Sequence, residues 1–281
     1  MRVIDFHVHF TGNLSAAERF VSLWREAGIE KAVVFAITRG DGSHASVAEI
    51  GALGERFPDF FVPFAYITPG HEDCIAEVRA AVARGFKGVK FIFPAKPYDD
   101  DEYFPIYELA AKAGMVCLFH TGIVYGTAVA GVDFEYQRRW RISSAWMRPV
   151  HLDRIARAFP GMPIIGAHLG SRAWHEEATH VMRWSRNVYF DLSIGQLHYE
   201  RKRTKPGEDA RAIVPRMQEL YDTGQLDLLK VLFGSDSFLD NEGVRPDWAM
   251  RTVRFELDKI GATAEEKEAV WGGIAARLLG L

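Results

Sequence analysis

The chain has little cysteine, and nowhere the spacing that cysteine chemistry uses. Its 281 residues hold two, Cys74 and Cys117, with no CxxC pair. That excludes a disulfide framework and a thiolate zinc site, and Cys117, inside an apolar run, reads as a small core residue. No uninterrupted apolar stretch approaches the roughly 20 residues of a membrane helix. The first polar motif begins at residue 5 and leaves no room for a cleavable signal, so a cytoplasmic protein without membrane attachment is expected. Charge is nearly balanced, at a formal −3. Basic clusters at Arg138, Arg139 and Arg141 and from Arg201 to Lys205 are too local to mark a nucleic-acid footprint. No strand is followed by GxGxxG or GxxxxGK[ST], which removes the phosphate-cradling loops of nucleotide folds. Repeats, low-complexity tracts and linkers are missing too.

What is present is a regular alternation of short apolar runs and amphipathic segments. The strand candidates are Val3–Phe10, Lys31–Ile37, Phe60–Ile67, Gly88–Ile92, Met115–His120, Pro163–His168, Val188–Leu192 and Val231–Gly234. Each is rich in Val, Ile and Phe. Helical patterns fall between them. Glu72 to Arg84 puts Ile75, Val78 and Val82 on one apolar stripe. Tyr103 to Ala113 and His151 to Phe159 read likewise. Thr263-Ala-Glu-Glu266 is a capping box before a last helix with Val270, Ile274, Leu278 and Leu279 on its apolar face. Strand–helix alternation implies parallel strands. Eight units in a chain of this length favour one α/β domain, a (β/α)8 TIM barrel elaborated by long strand-to-helix loops, spanning residues 1–281. A doubly wound open sheet is the alternative.

The opening run MRVIDFHVHF places polar residues where a core strand has no use for them. Alternation puts Val3, Asp5, His7 and His9 on one face and Ile4, Phe6, Val8 and Phe10 on the other. The apolar face is expected to pack on helices and the polar row to point into the barrel, where three polar side chains need partners. Other strands supply them at their carboxyl ends, the active-site face of a barrel. His120 closes the fifth run, His168 the sixth, Asp236 follows the eighth in Gly-Ser-Asp, and Lys90 sits in the fourth. Imidazoles and a carboxylate converging there suit a divalent metal such as zinc. Each residue alone has a plainer role: a satisfied core histidine, an Asp236 that caps a turn, a Lys90 that snorkels. Together they point to a site.

Asp5-Phe-His7-Val-His9, the strand-end His120 and His168, and Gly234-Ser-Asp236 resemble the amidohydrolase superfamily. More narrowly, they resemble the amidohydrolase-related branch that includes aminocarboxymuconate-semialdehyde decarboxylase and several lactonases. The likeness runs over the whole chain. It implies that His7, His9, His120 and Asp236 bind one divalent metal, zinc first and manganese second, and that His168 acts as a base or polarises the substrate. Lys90, in Gly88-Val-Lys-Phe, matches a position whose lysine is carboxylated in two-metal members. One metal is favoured here. The chain departs from the family at Ser237-Phe238, where many relatives carry a proline, and at Ile274, where asparagine is usual. A homodimer is implied by analogy alone.

The expected chemistry is metal-assisted hydrolysis of a small, carboxylated lactone, ester or amide. Asp236 would handle the proton of the attacking water, and His168 or Lys90 would polarise the carbonyl. Non-oxidative decarboxylation of a small unsaturated or aromatic acid is the alternative, and a metal-holding barrel without turnover a third. Substrate selection is expected from the loop between Thr121 and Pro149, where Tyr125, Arg138, Arg139, Trp140 and Arg141 offer an aromatic and cationic clamp for a planar carboxylate. Lys96, Tyr98 and His198 are secondary candidates.

Overall fold

The computed structural model describes residues 1–37, 44–124, 138–139, 141–193, 210–239 and 246–281, without the side chains of 210–215 and 246–247. Its strands are β1 (Ile4–Phe10), β2 (Lys31–Ala36), β3 (Phe61–Ile67), β4 (Gly88–Phe91), β5 (Val116–Phe119), β6 (Ile164–Gly166), β7 (Val188–Asp191), β8 (Val231–Leu232) and β9 (Ser237–Phe238). All pairs are parallel. The sheet runs β8-β7-β6-β5-β4-β3-β2-β1-β9. The two ends of that order are one segment of chain. β8 pairs with β7, residues 233–236 intervene, and β9 pairs with β1. Between the pieces, Phe6 N donates to Phe233 O at 2.9 Å. The eighth strand of the sequence pattern is therefore present in two parts, and it closes a (β/α)8 barrel.

Helices α1 (Ala17–Glu26), α2 (Val47–Arg56), α3 (Cys74–Ala83), α4 (Phe104–Lys112), α5 (His151–Ala158), α6 (His175–Trp184), α7 (Ala210–Asp222), α8 (Pro246–Lys259), α9 (Ala264–Glu268) and α10 (Ile274–Leu279) follow the strands. The Thr263–Glu266 capping box forms as read, with both reciprocal bonds present. A π-helical turn at Ala269–Gly273, which the pattern did not foretell, leads into α10, and Val270, Ile274 and Leu279 are buried. On α3 the buried residues are Cys74, Val78 and Ala81, whereas Ile75 and Val82 are exposed. A helix on a barrel touches the sheet along a narrow line, and here that line runs through Cys74, Val78 and Ala81 while Ile75 and Val82 flank it. No helix among the described residues is long and apolar enough to cross a membrane.

The first strand does not keep strict alternation. Asp5 pairs with Ala32 and Val8 with Val34, so Phe6 and His7 together oppose Val33. This is a β-bulge, which inserts one residue and re-aims the side chains around it. Asp5 is consequently not in a row with His7 and His9. Its carboxylate faces the helix layer and accepts Trp24 Nε1–H of α1 at 2.8 Å. Phe6 turns inward and packs edge-on against Phe64 of β3, with ring centroids 5.7 Å apart. Phe64 pairs with Gly88, two residues before Lys90. A Cβ at Gly88 would lie 2.4 Å from the Phe64 ring, so this glycine makes room for the aromatic plug beneath the polar layer.

In the helix layer, Glu256 of α8 is buried, and burial pushes its carboxyl up to about 8. The folded chain therefore holds a proton on it, between about pH 4.5 and 8, that the unfolded chain releases, and stability falls as pH rises through that window. Glu256→Gln removes the dependence. Its melting temperature should match the parent near pH 4.5 and exceed it increasingly toward pH 8, at up to about 1.4 kcal/mol per unit of displacement. A gain that does not depend on pH would contradict this.

Candidate metal centre

Six polar side chains meet inside the carboxyl end of the barrel. His7 and His9 come from β1, Lys90 from β4, His120 from the end of β5, His168 from just past β6 and Asp236 from the break between β8 and β9. Asp236 Oδ1 lies 3.0 Å from His9 Nε2 and 3.3 Å from His7 Nε2. Lys90 Nζ stands 3.5 Å from His7 Nε2. His168 Nε2 is 3.3 Å from His120 Nδ1. The ligand atoms of His7, His168 and Asp236 all lie within 4.8 Å of one another.

Backbone conformation aims these groups. Strand six ends at Gly166 rather than running on to His168, and residues 167–170 form a tight turn in which His168 and Leu169 have φ of 59° and 45°. Asp236 has φ 54°. Left-handed backbone at non-glycine residues is costly and persists where the surroundings enforce it. At Asp236 the enforcing partner is Asp5, whose Oδ1 accepts from Ser235 N at 2.8 Å and from His7 N at 3.2 Å. One carboxylate thus ties the bulge of β1 to the break in the eighth strand. Burial raises the Asp5 carboxyl to about 6, against the bonds from Ser235 and Trp24. Gly234 is needed here as well, because a Cβ would come within 2.8 Å of His7 Cβ.

Asp191, at the end of β7, is the residue the sequence reading missed. Its Oδ2 accepts from His7 Nδ1 at 2.8 Å. Its Oδ1 accepts from His168 N at 2.8 Å, from Ser193 N at 3.0 Å and from the Ser193 hydroxyl. The available signal was an aspartate ending the run Val188-Tyr-Phe-Asp191, which is the position that distinguished His120 and His168.

Donor and acceptor accounting then assigns the imidazole protons. His7 Nδ1 must carry hydrogen, because Asp191 only accepts. His9 Nδ1 faces Ala36 O at 3.3 Å and must donate too. His168 Nδ1 faces Ser193 O at 3.2 Å and Ser193 Oγ at 2.7 Å, and the Ser193 hydrogen is committed to Asp191, so this nitrogen also donates. The other His168 nitrogen, Nε2, then accepts from His120 Nδ1–H. The result leaves lone pairs on Nε2 of His7, His9 and His120, that of His7 within 3.5 Å of the Lys90 ammonium. His120 Nε2 is buried without a hydrogen-bond partner. The Nε2 atoms of His7 and His9 converge instead on a carboxylate oxygen, acceptor against acceptor.

Charge states reinforce the conflict. Burial, aided by Lys90, lowers His7 to about 3 and holds it neutral. Burial, with Lys90 adding to it, takes His120 well below the ordinary histidine value. Burial alone would raise Asp236, but its charged surroundings, the Lys90 ammonium among them, outweigh it and keep its carboxyl ionised. Asp191 is likewise held below the usual carboxylate range, because His7 overcomes its burial. Lys90 is brought down to about 8 by burial, against the pull of Asp191 and Asp236. Three inward lone pairs and an anionic oxygen are the donor set of a divalent metal site, with each ligand histidine held from its other nitrogen in the usual way. A cation between them removes the acceptor–acceptor contacts, so the residues fit a metal. His168 lies close enough to join, but its Nε2 lone pair is engaged by His120.

Of the loop residues named above, Arg138, Arg139 and Arg141 are exposed. Arg139 is near enough to His71, beyond β3, to help lower that histidine to about 4, after burial and His44. Tyr125, Trp140 and His198 lie outside the described residues. Tyr98 is fully buried, its hydroxyl on Phe91 O and His120 O, so it supports β4 and β5 and does not line the mouth. Lys96 pairs with Glu102 on the surface.

A family model described as amidohydrolase matches residues 4–281. The chain belongs to the amidohydrolase family. Among curated proteins none matches it. Solved structures of similar fold include an uncharacterized TIM-barrel protein from Bordetella bronchiseptica, 19% identical over 100% of this chain and 99% of that one, with a TM-score of 0.68. A probable 2-pyrone-4,6-dicarboxylic acid hydrolase from Acinetobacter baumannii, with citric acid bound, is 11% identical over 100% of both chains, with a TM-score of 0.63. A dihydroxybenzoic acid decarboxylase from Polaromonas, with bound manganese and 2-nitroresorcinol, is 15% identical over 100% of this chain and 97% of that one, at 0.61. Members of the amidohydrolase superfamily bind divalent metal, and this chain contains a His7, His168 and Asp236 group close enough to hold one.

Asp191→Asn should weaken metal binding about 10- to 100-fold, because the amide no longer fixes His7 as the Nδ1–H form. Competition of the variant against a chelating dye, with far-ultraviolet circular dichroism to confirm folding, measures this. Unchanged affinity would show that Asp191 does not orient the ligand.

Proposed function

We propose that the protein is a metal-dependent hydrolase that opens a small, carboxylated lactone or a related ester or amide. The observation that carries this reading is the convergence of His7 Nε2, His9 Nε2 and Asp236 Oδ1 in a buried site with no proton to share between them. His7, His9, His120 and Asp236 hold one divalent ion, zinc or manganese. Bound there, the ion supplies Lewis acidity toward a substrate oxygen and a more acidic water.

The chain's own groups do the rest. Asp236 is ionised and lies against two imidazoles, so it takes the proton of the attacking water at its carboxylate and returns it to the leaving oxygen. Its left-handed backbone holds that carboxylate in place before substrate arrives. His168, braced by Ser193 and by its backbone bond to Asp191, serves as a base through the Nε2 lone pair once substrate displaces the His120 contact. Lys90, a buried cation above the Phe35 ring at 5.1 Å, stabilises the charge that develops on oxygen. Its ammonium also takes up room that a second cation would need, which supports the one-metal reading.

A second reading, non-oxidative decarboxylation of a small aromatic acid, is favoured by the decarboxylase among the structural neighbours. The same residues serve it. The metal-loaded protein, incubated with carboxylated lactones and with hydroxybenzoates, separates the two. Ring opening that falls about 10²- to 10⁴-fold in Asp236→Asn and in His168→Ala is the expected result. Release of CO2 would reject hydrolysis. Activity unchanged in His9→Ala and Asp236→Ala would reject both.

A further inference from the structure

Ser237-Phe238 directly follows Asp236, and neither the metal centre nor the proton chemistry above uses it. Its geometry is specific. After the left-handed Asp236 the chain returns to the sheet, and Phe238 comes into register with His9. Paired residues of neighbouring parallel strands share a face, so Phe238 points into the barrel beside His9. Its ring stacks on the His9 imidazole, with centroids 5.0 Å apart and planes at 23°. The opposite flank of His9 is closed by Phe35, edge-on at 4.9 Å. Phe35 is fully buried, whereas Phe238 is only partly so.

Backbone bonds on both sides hold Phe238. Ser237 N donates to Ser235 Oγ at 3.2 Å, and Leu239 N donates to His9 O at 2.9 Å. A proline at 237 or at 239 would remove one of these donors. The ring is therefore set by strand pairing rather than by a loop. The ring is flat, apolar and partly exposed, directly beside the imidazole of His9.

We propose that Phe238 is a specificity-determining residue that selects substrates with a planar, unsaturated ring beside the carboxylate. A flat ring can lie against the aromatic wall in an offset stack, which a puckered ring of the same size cannot do. The inference takes the site's location from the functional reading but not its reaction, and it applies to ring opening and to carboxylate loss alike.

Two unreactive probes of equal charge and similar size test it: benzoate, which is planar, and cyclohexanecarboxylate, which is puckered. Titration calorimetry on the full, zinc-loaded chain should show benzoate binding about three- to ten-fold more tightly. Phe238→Leu should bring the two within about two-fold at unchanged zinc stoichiometry, and Phe238→Tyr should retain the preference. Equal binding of the probes by the parent, binding of neither, or a preference that survives in Phe238→Leu would overturn the proposal. Loss of zinc in Phe238→Leu, with no preference left in Phe238→Tyr, would reduce the residue to a support for His9 and overturn it as well. A protein that opens no lactone but keeps the preference rejects hydrolysis and leaves this inference standing.

Discussion

At this barrel mouth the group that faces each imidazole's Nδ1 decides where a ring proton sits. Asp191 and two backbone carbonyls take the Nδ1 hydrogens of His7, His9 and His168, and His168 in turn takes that of His120. What remains inside is a set of lone pairs facing an ionised carboxylate. In a water-poor interior such contacts are repulsive, and a free buried polar group costs on the order of 1–3 kcal/mol. The fold keeps them because side chains and backbone around them are satisfied elsewhere. The interior is thus arranged for a cation before any cation arrives.

Two backbone irregularities make this arrangement compatible with a closed barrel. The bulge in β1 turns Asp5 outward and lets His7 and His9 share the interior with Phe6 beneath them. The break in the eighth strand lifts Asp236 out of pairing and delivers it to those histidines. Asp5 joins the two features through Ser235 N and His7 N. A regular eighth strand would leave Asp236 in the sheet, with its side chain fixed by the pleat rather than aimed at the metal site. Strain at Asp236 and His168 is the cost of that aim, and it falls at residues that carry chemistry, as strain commonly does.

Most of the architecture was legible because it rests on local pattern. Eight apolar runs gave the strands to within a residue or two, and the Thr263–Glu266 box gave a helix start. The strand-end histidines and Asp236 stood out because polar groups rarely end core strands without purpose. What escaped was whatever depends on register. Alternation assigned Asp5 to the wrong face, since a bulge leaves no mark in composition. Asp191 ended a strand like the others but lacked a motif around it, and its role appears only when β7 sits between β6 and β8. Ile75 and Val82 satisfied the helical period yet lie outward, because a period does not say which of its stripes meets the sheet.

The tautomers of the four site histidines test the account most directly. Long-range proton–nitrogen NMR on the metal-free, 15N-labelled chain reads each ring separately. The account predicts the Nδ1–H form at His7, His9, His120 and His168, with unprotonated Nε2. An Nε2–H form at His120 or at His7 would contradict it, because a ligand lone pair would then be missing from the centre.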